Sequence, residues 1–196
     1  MLRTVGICVQ VVVFVALGAR VGITAVAGEA PVADAAESRD AAVIETLLKT
    51  GADVNAAQVD GMTALHWAVY HDEFQTAKLL VKAGADVRRE NRYGVVPISL
   101  AATNGNGPLV ELLLDSGADP NRVSDGGETV LMTAAYTGSL GVVEALLRHN
   151  ADPNATEHRN QTALMWAAAE GHSSVVDALI DAGADVHAKL YSGFTP

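Results

Sequence analysis

His66, His71, Asp72 and Glu73 form the densest cluster of titratable side chains in this 196-residue chain. A helical zinc site wants histidines four residues apart, so that both face one way, with a third ligand close by. These two are five apart, which turns them to different faces. The spacing instead sets His66 to hydrogen-bond at a helix start beside Thr63, with His71 at the open end of the same helix. His149, His158, His172 and His187 are spread over separate stretches, mostly in expected loops, and no two share a ligand spacing. Serine, histidine and aspartate are all present, but there is no Gly-x-Ser-x-Gly elbow and no glycine-rich phosphate loop. Gly126-Gly127 reads as a turn. These residues predict no enzyme, no cofactor and no metal site.

What positions them is a repeat. Gly51-Ala52-Asp53-Val54-Asn55 returns as Gly84-Ala85-Asp86-Val87-Arg88, Gly117-Ala118-Asp119-Pro120-Asn121, Asn150-Ala151-Asp152-Pro153-Asn154 and Gly183-Ala184-Asp185-Val186-His187, each step being 33 residues. A strict period of that length marks a solenoid whose units pack only on their neighbours. Gly61 recurs as Gly94, Gly127 and Gly193, with Asn160 once; these residue types tolerate positive φ, so the position is a turn into a helix. Thr63, Thr129 and Thr162 can cap that helix, and Pro97 suits its first position. Leu65, Ile98, Leu131 and Leu164 begin an apolar stripe, continued three residues on by Ala68, Ala101, Ala134 and Ala167. Val69, Ala102, Ala135 and Ala168 lie beside them. Small side chains there let helices of adjacent units approach closely.

A break at Gly105, Gly138 or Gly171 precedes a second helix, with stripes Leu109-Val110/Leu113-Leu114, Val142-Val143/Leu146-Leu147 and Val175-Val176/Leu179-Ile180. The Gly of each Gly-Ala-Asp then ends that helix in the left-handed conformation. An aspartate present in every unit reads as a hydrogen-bonding cap and not as a catalytic acid. The sequons Asn154-Ala155-Thr156 and Asn160-Gln161-Thr162 fall on ordinary repeat positions, which makes coincidence the better reading.

Helix, turn, helix and finger every 33 residues, with Thr63-Ala64-Leu65-His66-Trp67-Ala68 opening one unit, resembles the ankyrin repeat family. The resemblance covers 28–196. It implies an all-α solenoid of helix-turn-helix units with β-hairpin fingers, in units of about 28–58, 59–91, 92–124, 125–157 and 158–190 plus a truncated start at 191–196. Only Thr63 and His66 keep the family's Thr-x-x-His pair. Met132 and Met165 replace the histidine, and Val96-Pro97-Ile98-Ser99 lacks both polar partners, so hydrogen bonding at those helix starts is expected to be poorer.

The ends carry expectations of their own. Arg3, the apolar run Val5 to Ala19 broken only by Gln10, and Ala25-Val26-Ala27 predict a cleaved signal peptide over 1–27. The run of about 15 residues is short of the roughly 20 that span hydrocarbon, and extending it would bury Arg20. The expectation is therefore export to the periplasm or beyond, as in a bacterial-type protein; a membrane anchor follows only if the leader stays uncleaved. The sole cysteine, Cys8, lies in that leader. Counting back 33 residues from Gly61 lands on Gly28, so the mature chain would open almost at its first helix, with Asp34, Glu37 and Arg39 giving the first unit a polar, capping face. Gly193-Phe194-Thr195-Pro196 opens a sixth unit, predicting a longer protein. Formal charge is −10, and −12 without 1–27, which carry Arg3 and Arg20 and no acid. Nucleic acid and anionic membranes are disfavoured and a basic partner is favoured.

Where function sits follows from the resemblance: partners of the family usually meet the finger tips and the exposed side of the first helices. The matching finger positions are Val59, Asp60, Met62, Arg92, Tyr93, Val95, Asp125, Glu128, His158, Arg159 and Gln161. The matching first-helix positions are Tyr70, His71, Thr103, Asn104, Tyr136, Thr137 and Glu170. Aromatic residues and arginine anchor interfaces most often, which favours Tyr70, Tyr93, Arg92 and Tyr136. Trp67 and Trp166 are expected in the core first and at a contact second. The reading is a non-catalytic, exported module that binds a protein partner. The alternative is the recognition arm of a larger secreted enzyme or effector whose catalytic domain lies beyond residue 196.

Overall fold

A computed structural model describes residues 30–190, 193, 195 and 196. The expected signal peptide over 1–27 lies outside them. Five helix pairs follow one another: α1 Pro31–Glu37 and α2 Ala41–Lys49, α3 Ala64–Tyr70 and α4 Phe74–Lys82, α5 Pro97–Thr103 and α6 Gly107–Asp115, α7 Val130–Thr137 and α8 Leu140–Arg148, α9 Ala163–Glu170 and α10 Ser173–Asp181. Helices this short are marginal alone in water, so their stability must come from packing. The odd helices form one row, each against the next, while α4, α6, α8 and α10 form a second row beneath. Among the described residues no helix is long and apolar enough to cross a membrane.

Local chemistry sets the helix ends. Thr63, Thr129 and Thr162 cap α3, α7 and α9 by accepting the N–H of His66, Met132 and Met165, and Asp40 and Asn106 do the same for α2 and α6. At α5, Val96 makes no side-chain cap and Pro97 stands in the first turn, where its missing N–H costs nothing. Methionine proves less of a loss than expected at α7, where the Thr129 N–H approaches the Met132 sulfur at 3.4 Å. The second helices end on Gly51, Gly84, Gly117 and Gly183 at φ between 83° and 94°, and on Asn150 at φ 65°. At Gly61 a Cβ would lie 2.9 Å from the backbone of Asn91 and Arg92, so the next finger packs where a side chain would stand.

Leu65, Ile98, Leu131 and Leu164 are at most 2% exposed, and Ala68, Ala101, Ala134 and Ala167 are fully buried. Ala168 departs from its counterparts Ala102 and Ala135: it is exposed, because among the described residues no further helix packs on that face of α9. The stripe of α2 is thinner than its sequence promises, with Ile44 buried, Leu47 and Leu48 half-buried and Val43 exposed.

The fingers depart from the expected β-hairpins. Among the described residues they are tight turns with one isolated antiparallel bridge, Val123 to Thr129. Each turn is closed by a pair of backbone bonds: Gln58 N–H to the Met62 carbonyl and Gly61 N–H to the Gln58 carbonyl, both 2.9 Å, with equivalents at Asn91, Ser124 and Glu157. Side chains then take over what a strand partner would do. Asn91 Oδ1 accepts from Tyr93 N–H at 2.9 Å and Val95 N–H at 3.0 Å, and Glu157 Oε1 serves Arg159 and Gln161 likewise.

The repeated aspartate has the capping role its recurrence suggests. Asp53, Asp86, Asp119, Asp152 and Asp185 each accept the N–H two residues on, at 2.8 or 2.9 Å. The following asparagine stitches one unit to the next. Asn55 donates to the Gly84 carbonyl at 3.0 Å and accepts from Asp86 N–H at 2.7 Å; Asn121 does the same to Asn150 and Asp152, and Asn154 to Gly183 and Asp185. Replacing Asn121 by alanine should lower stability by about 1 kcal/mol, since water can reach both orphaned groups. Asn121→Asp, keeping the acceptor, should recover part of the loss in urea unfolding.

Candidate functional site

The exposed large apolar side chains include four of the predicted contact residues: Val59 at 73%, Tyr93 at 74%, Tyr70 at 55% and Tyr136 at 51% exposure. Val59 and Tyr93 stand at the tips of successive fingers, joined by Arg92 N–H bonding the Asp60 carbonyl at 2.8 Å. Behind them Trp67 of α3 is half-buried, its indole N–H donating to Gln58 Oε1 at 2.7 Å. Its ring stacks on His71 at 5.7 Å and 20°, with Tyr70 edge-on at 5.7 Å. Gln58 Nε2 in turn donates to Asp34 Oδ1 at 2.8 Å and Glu37 Oε2 at 2.7 Å. Asp34, Glu37, Gln58 and Trp67 line an open cleft of about 690 Å³ with Val59, Asp60, Arg92 and Tyr93.

Other predicted contact residues are placed differently. Met62 is only 9% exposed, its sulfur accepting from Asn91 Nδ2 at 3.4 Å, so it offers little surface. The finger chain turns inward there to cap α3. Val95 is half-buried, and its carbonyl takes the His66 ring N–H at 3.1 Å. His71 and Asn104 are tied to the preceding unit: His71 Nε2 meets the Glu37 carbonyl at 3.2 Å, and Asn104 Nδ2 donates to the carbonyls of Val69 and Tyr70 at 3.1 and 3.3 Å. Thr103 and Thr137 are exposed but return their hydroxyls to the Ser99 and Ala134 carbonyls. Tyr136 pairs edge-on with Trp166 at 5.6 Å, forming a second aromatic patch.

Asp125, His158, Arg159 and Glu170 are exposed, Gln161 half-buried. Glu128 is half-buried and receives the Ser124 hydroxyl. That bond, then its own N–H and the nearby His158 and Arg159, holds its carboxyl below the usual range against some desolvation.

Sequence reading missed two groupings. Asp34 and Glu37 looked like the outer face of a capping unit, yet they form a wall of the cleft, an outcome that the Gln58 side chain decides. Glu111, Asp115 and His149 bring ligand-type atoms within 4.8 Å of one another, although His149 lies 38 residues from Glu111 along the chain. Arg148 already grips Glu111 through two bonds of 2.9 and 3.0 Å, with His149 Nε2 at 3.4 Å. Desolvation pushes the Glu111 carboxyl up, but the bonds from Arg148 and His149 outweigh it and hold the group below its ordinary range. An ion-paired strut between α6 and the end of α8 accounts for this cluster. His66 and His71 do not converge: one is buried against Val95, the other faces the preceding unit.

Stacked helix pairs that present variable turn and helix side chains along one row, on a frame of repeated caps, define a repeat scaffold. The chain belongs to the ankyrin repeat family, whose model, described as Ankyrin repeats (3 copies), matches residues 7–91 and 98–189. A comparison with curated proteins finds no match. Ankyrin repeats are in general protein–protein interaction modules and typically non-catalytic.

Proposed function

We propose that this chain is an exported, non-catalytic module that recognises one protein partner through its finger tips and the exposed side of its first helices. The observation that carries the reading is the exposure of Val59, Tyr70, Tyr93 and Tyr136, four large apolar side chains on the row that the family uses, while most apolar positions of the repeat frame are buried. The formal charge of −10 supports a partner that is basic where it docks and disfavours nucleic acid. Export rests on the leader features over 1–27. An intact mass beginning at Met1 in the exported protein would defeat cleavage of that leader and favour the anchored form.

Changing Tyr70, Tyr93 and Tyr136 together to alanine tests the rest. Each ring is exposed in the free protein, so the helical circular dichroism should be unchanged. Retention of a partner captured by the parent chain should fall at least tenfold, as loss of aromatic anchors does. Undiminished capture would show that the partner docks elsewhere.

A further inference from the structure

The cleft at Trp67 combines three kinds of surface. One wall is acidic: Asp34 and Glu37 from α1 stand side by side, each giving one oxygen to the same Gln58 amide. Gln58 has used its carbonyl on the Trp67 indole and its amide on the two acids, so it acts as a bracket that fixes both carboxylates. Asp60 adds a third, with Oδ1 held by Met62 N–H at 3.0 Å. The exposed Val59 and Tyr93 and the half-buried Trp67 supply the cleft's apolar lining. Three carboxylates face one guanidinium, Arg92, around about 690 Å³ of open space.

Resting on the binding-module reading above, we infer that this cleft takes a basic, partly apolar segment of the protein partner. A lysine or arginine enters between Asp34, Glu37 and Asp60, and an adjacent apolar side chain lies against Trp67, Val59 and Tyr93. Charge complementarity selects this occupant. An acidic segment would meet three like charges, and a purely apolar one would strip water from carboxylates without replacing it. A cation offers the carboxylates charge-assisted bonds and the indole a cation–π contact. The volume fits a few residues of extended chain and falls within the range of ligand pockets. The net negative charge of the whole chain would steer such a segment in.

Fluorescence anisotropy with three labelled dodecapeptides of equal apolar content tests the inference: arginine and lysine alternating with leucine and tyrosine, the glutamine version, and the glutamate version. The protein is the whole chain, its Asp34→Asn/Glu37→Gln/Asp60→Asn variant, and a variant with the same charge removed from the second helices, Glu144→Gln/Asp177→Asn/Asp181→Asn. The amides can keep the Gln58 and Met62 bonds, and matching circular dichroism and thermal midpoints confirm folding. The basic peptide should bind with a marked salt dependence, and the cleft variant should weaken it at least tenfold. The second-helix variant should stay within twofold of the parent. Equal binding of the glutamine or glutamate peptide, or equal weakening by both variants, would overturn the inference. The tyrosine variant separates it from the broader reading. A captured partner lost by the tyrosine variant but kept by the cleft variant leaves the band standing and removes the basic segment.

Discussion

Replacing Leu113 by alanine is expected to remove about 2–5 kcal/mol of stability and to split one unfolding transition into two. Leu113 is fully buried on α6, the middle second helix, which packs on α4, α5 and α8. In a linear stack, cooperativity passes only through neighbouring contacts, so weakening the centre uncouples the flanks. The two tryptophans lie on either side, Trp67 in the second helix pair and Trp166 in the fifth. Urea titrations of single-tryptophan variants should give coincident midpoints with Leu113 present and separate ones without it. Leu179→Ala, equally buried on α10, has a neighbouring helix pair on one side only among the described residues. It should release its own end first while Trp67 reports little change. Coincident midpoints in the Leu113 variant, or a loss under 1 kcal/mol, would contradict the nearest-neighbour account.

His66→Ala should cost about 3 kcal/mol and alter how stability depends on pH. The ring is fully buried; Nδ1 accepts from Thr63 N–H at 3.2 Å and from its hydroxyl at 2.8 Å, which makes Nε2 the protonated nitrogen that donates to Val95 at 3.1 Å. Alanine would strand a buried N–H and a carbonyl, each worth about 1–3 kcal/mol, and leave a void beside α3. A second proton has no place, since Nδ1 already faces a donor. Burial therefore lowers the histidine's pKa from its ordinary 6.5, with the Val95 carbonyl opposing only in part. A group that stays neutral in the fold binds fewer protons than in the unfolded chain. Its contribution is full above about pH 6.5 and declines as the pH falls below it. The difference in unfolding free energy between parent and His66→Ala should shrink from pH 7.5 to pH 5. A constant difference would mean that His66 titrates alike in both states. Glu111 and Glu128, whose pKa values are lowered, lose their contributions only in the more acidic carboxylate range, below about 4.5.

Much of this frame was legible because the same local chemistry recurs at a fixed spacing. Glycines at the turn and helix ends, threonine caps, and the leucine and alanine stripes each answer to a local rule, and the period multiplied the signal. The Thr63–His66 pair could be placed for the same reason. What stayed hidden depends on side chains meeting across units. Nothing local says that Gln58 will reach Trp67 in one direction and Asp34 and Glu37 in the other, so two cleft residues passed for a solvated cap. Glu111 and Arg148 lie one period plus four residues apart, a relation visible only once helices α6 and α8 are side by side. The β-hairpins are not confirmed: in three fingers the side chains of Asn91, Ser124 and Glu157 accept N–H groups that strands would have paired.

The asparagine series ends on His187 and is broken inside the stack at Arg88. Arg88 stands where Asn55, Asn121 and Asn154 stand in their own units; it can reach the Gly117 carbonyl, but arginine has no acceptor for Asp119 N–H. The joint between the second and third units also holds a small void of about 160 Å³ lined by Val87, Ile98 and Ala118. An ion pair, Glu90 with Arg122 at 3.0 Å, takes up part of the slack, and being partly exposed it weakens as salt rises. On the finger side the same joint is pinned by His66 to Val95 and by Arg92 to Asp60. One edge is tied and the other loose, which is the construction of a knuckle. Raised ionic strength should therefore loosen the Glu90–Arg122 side of this joint first, while the Arg92–Asp60 contact keeps the two fingers in register.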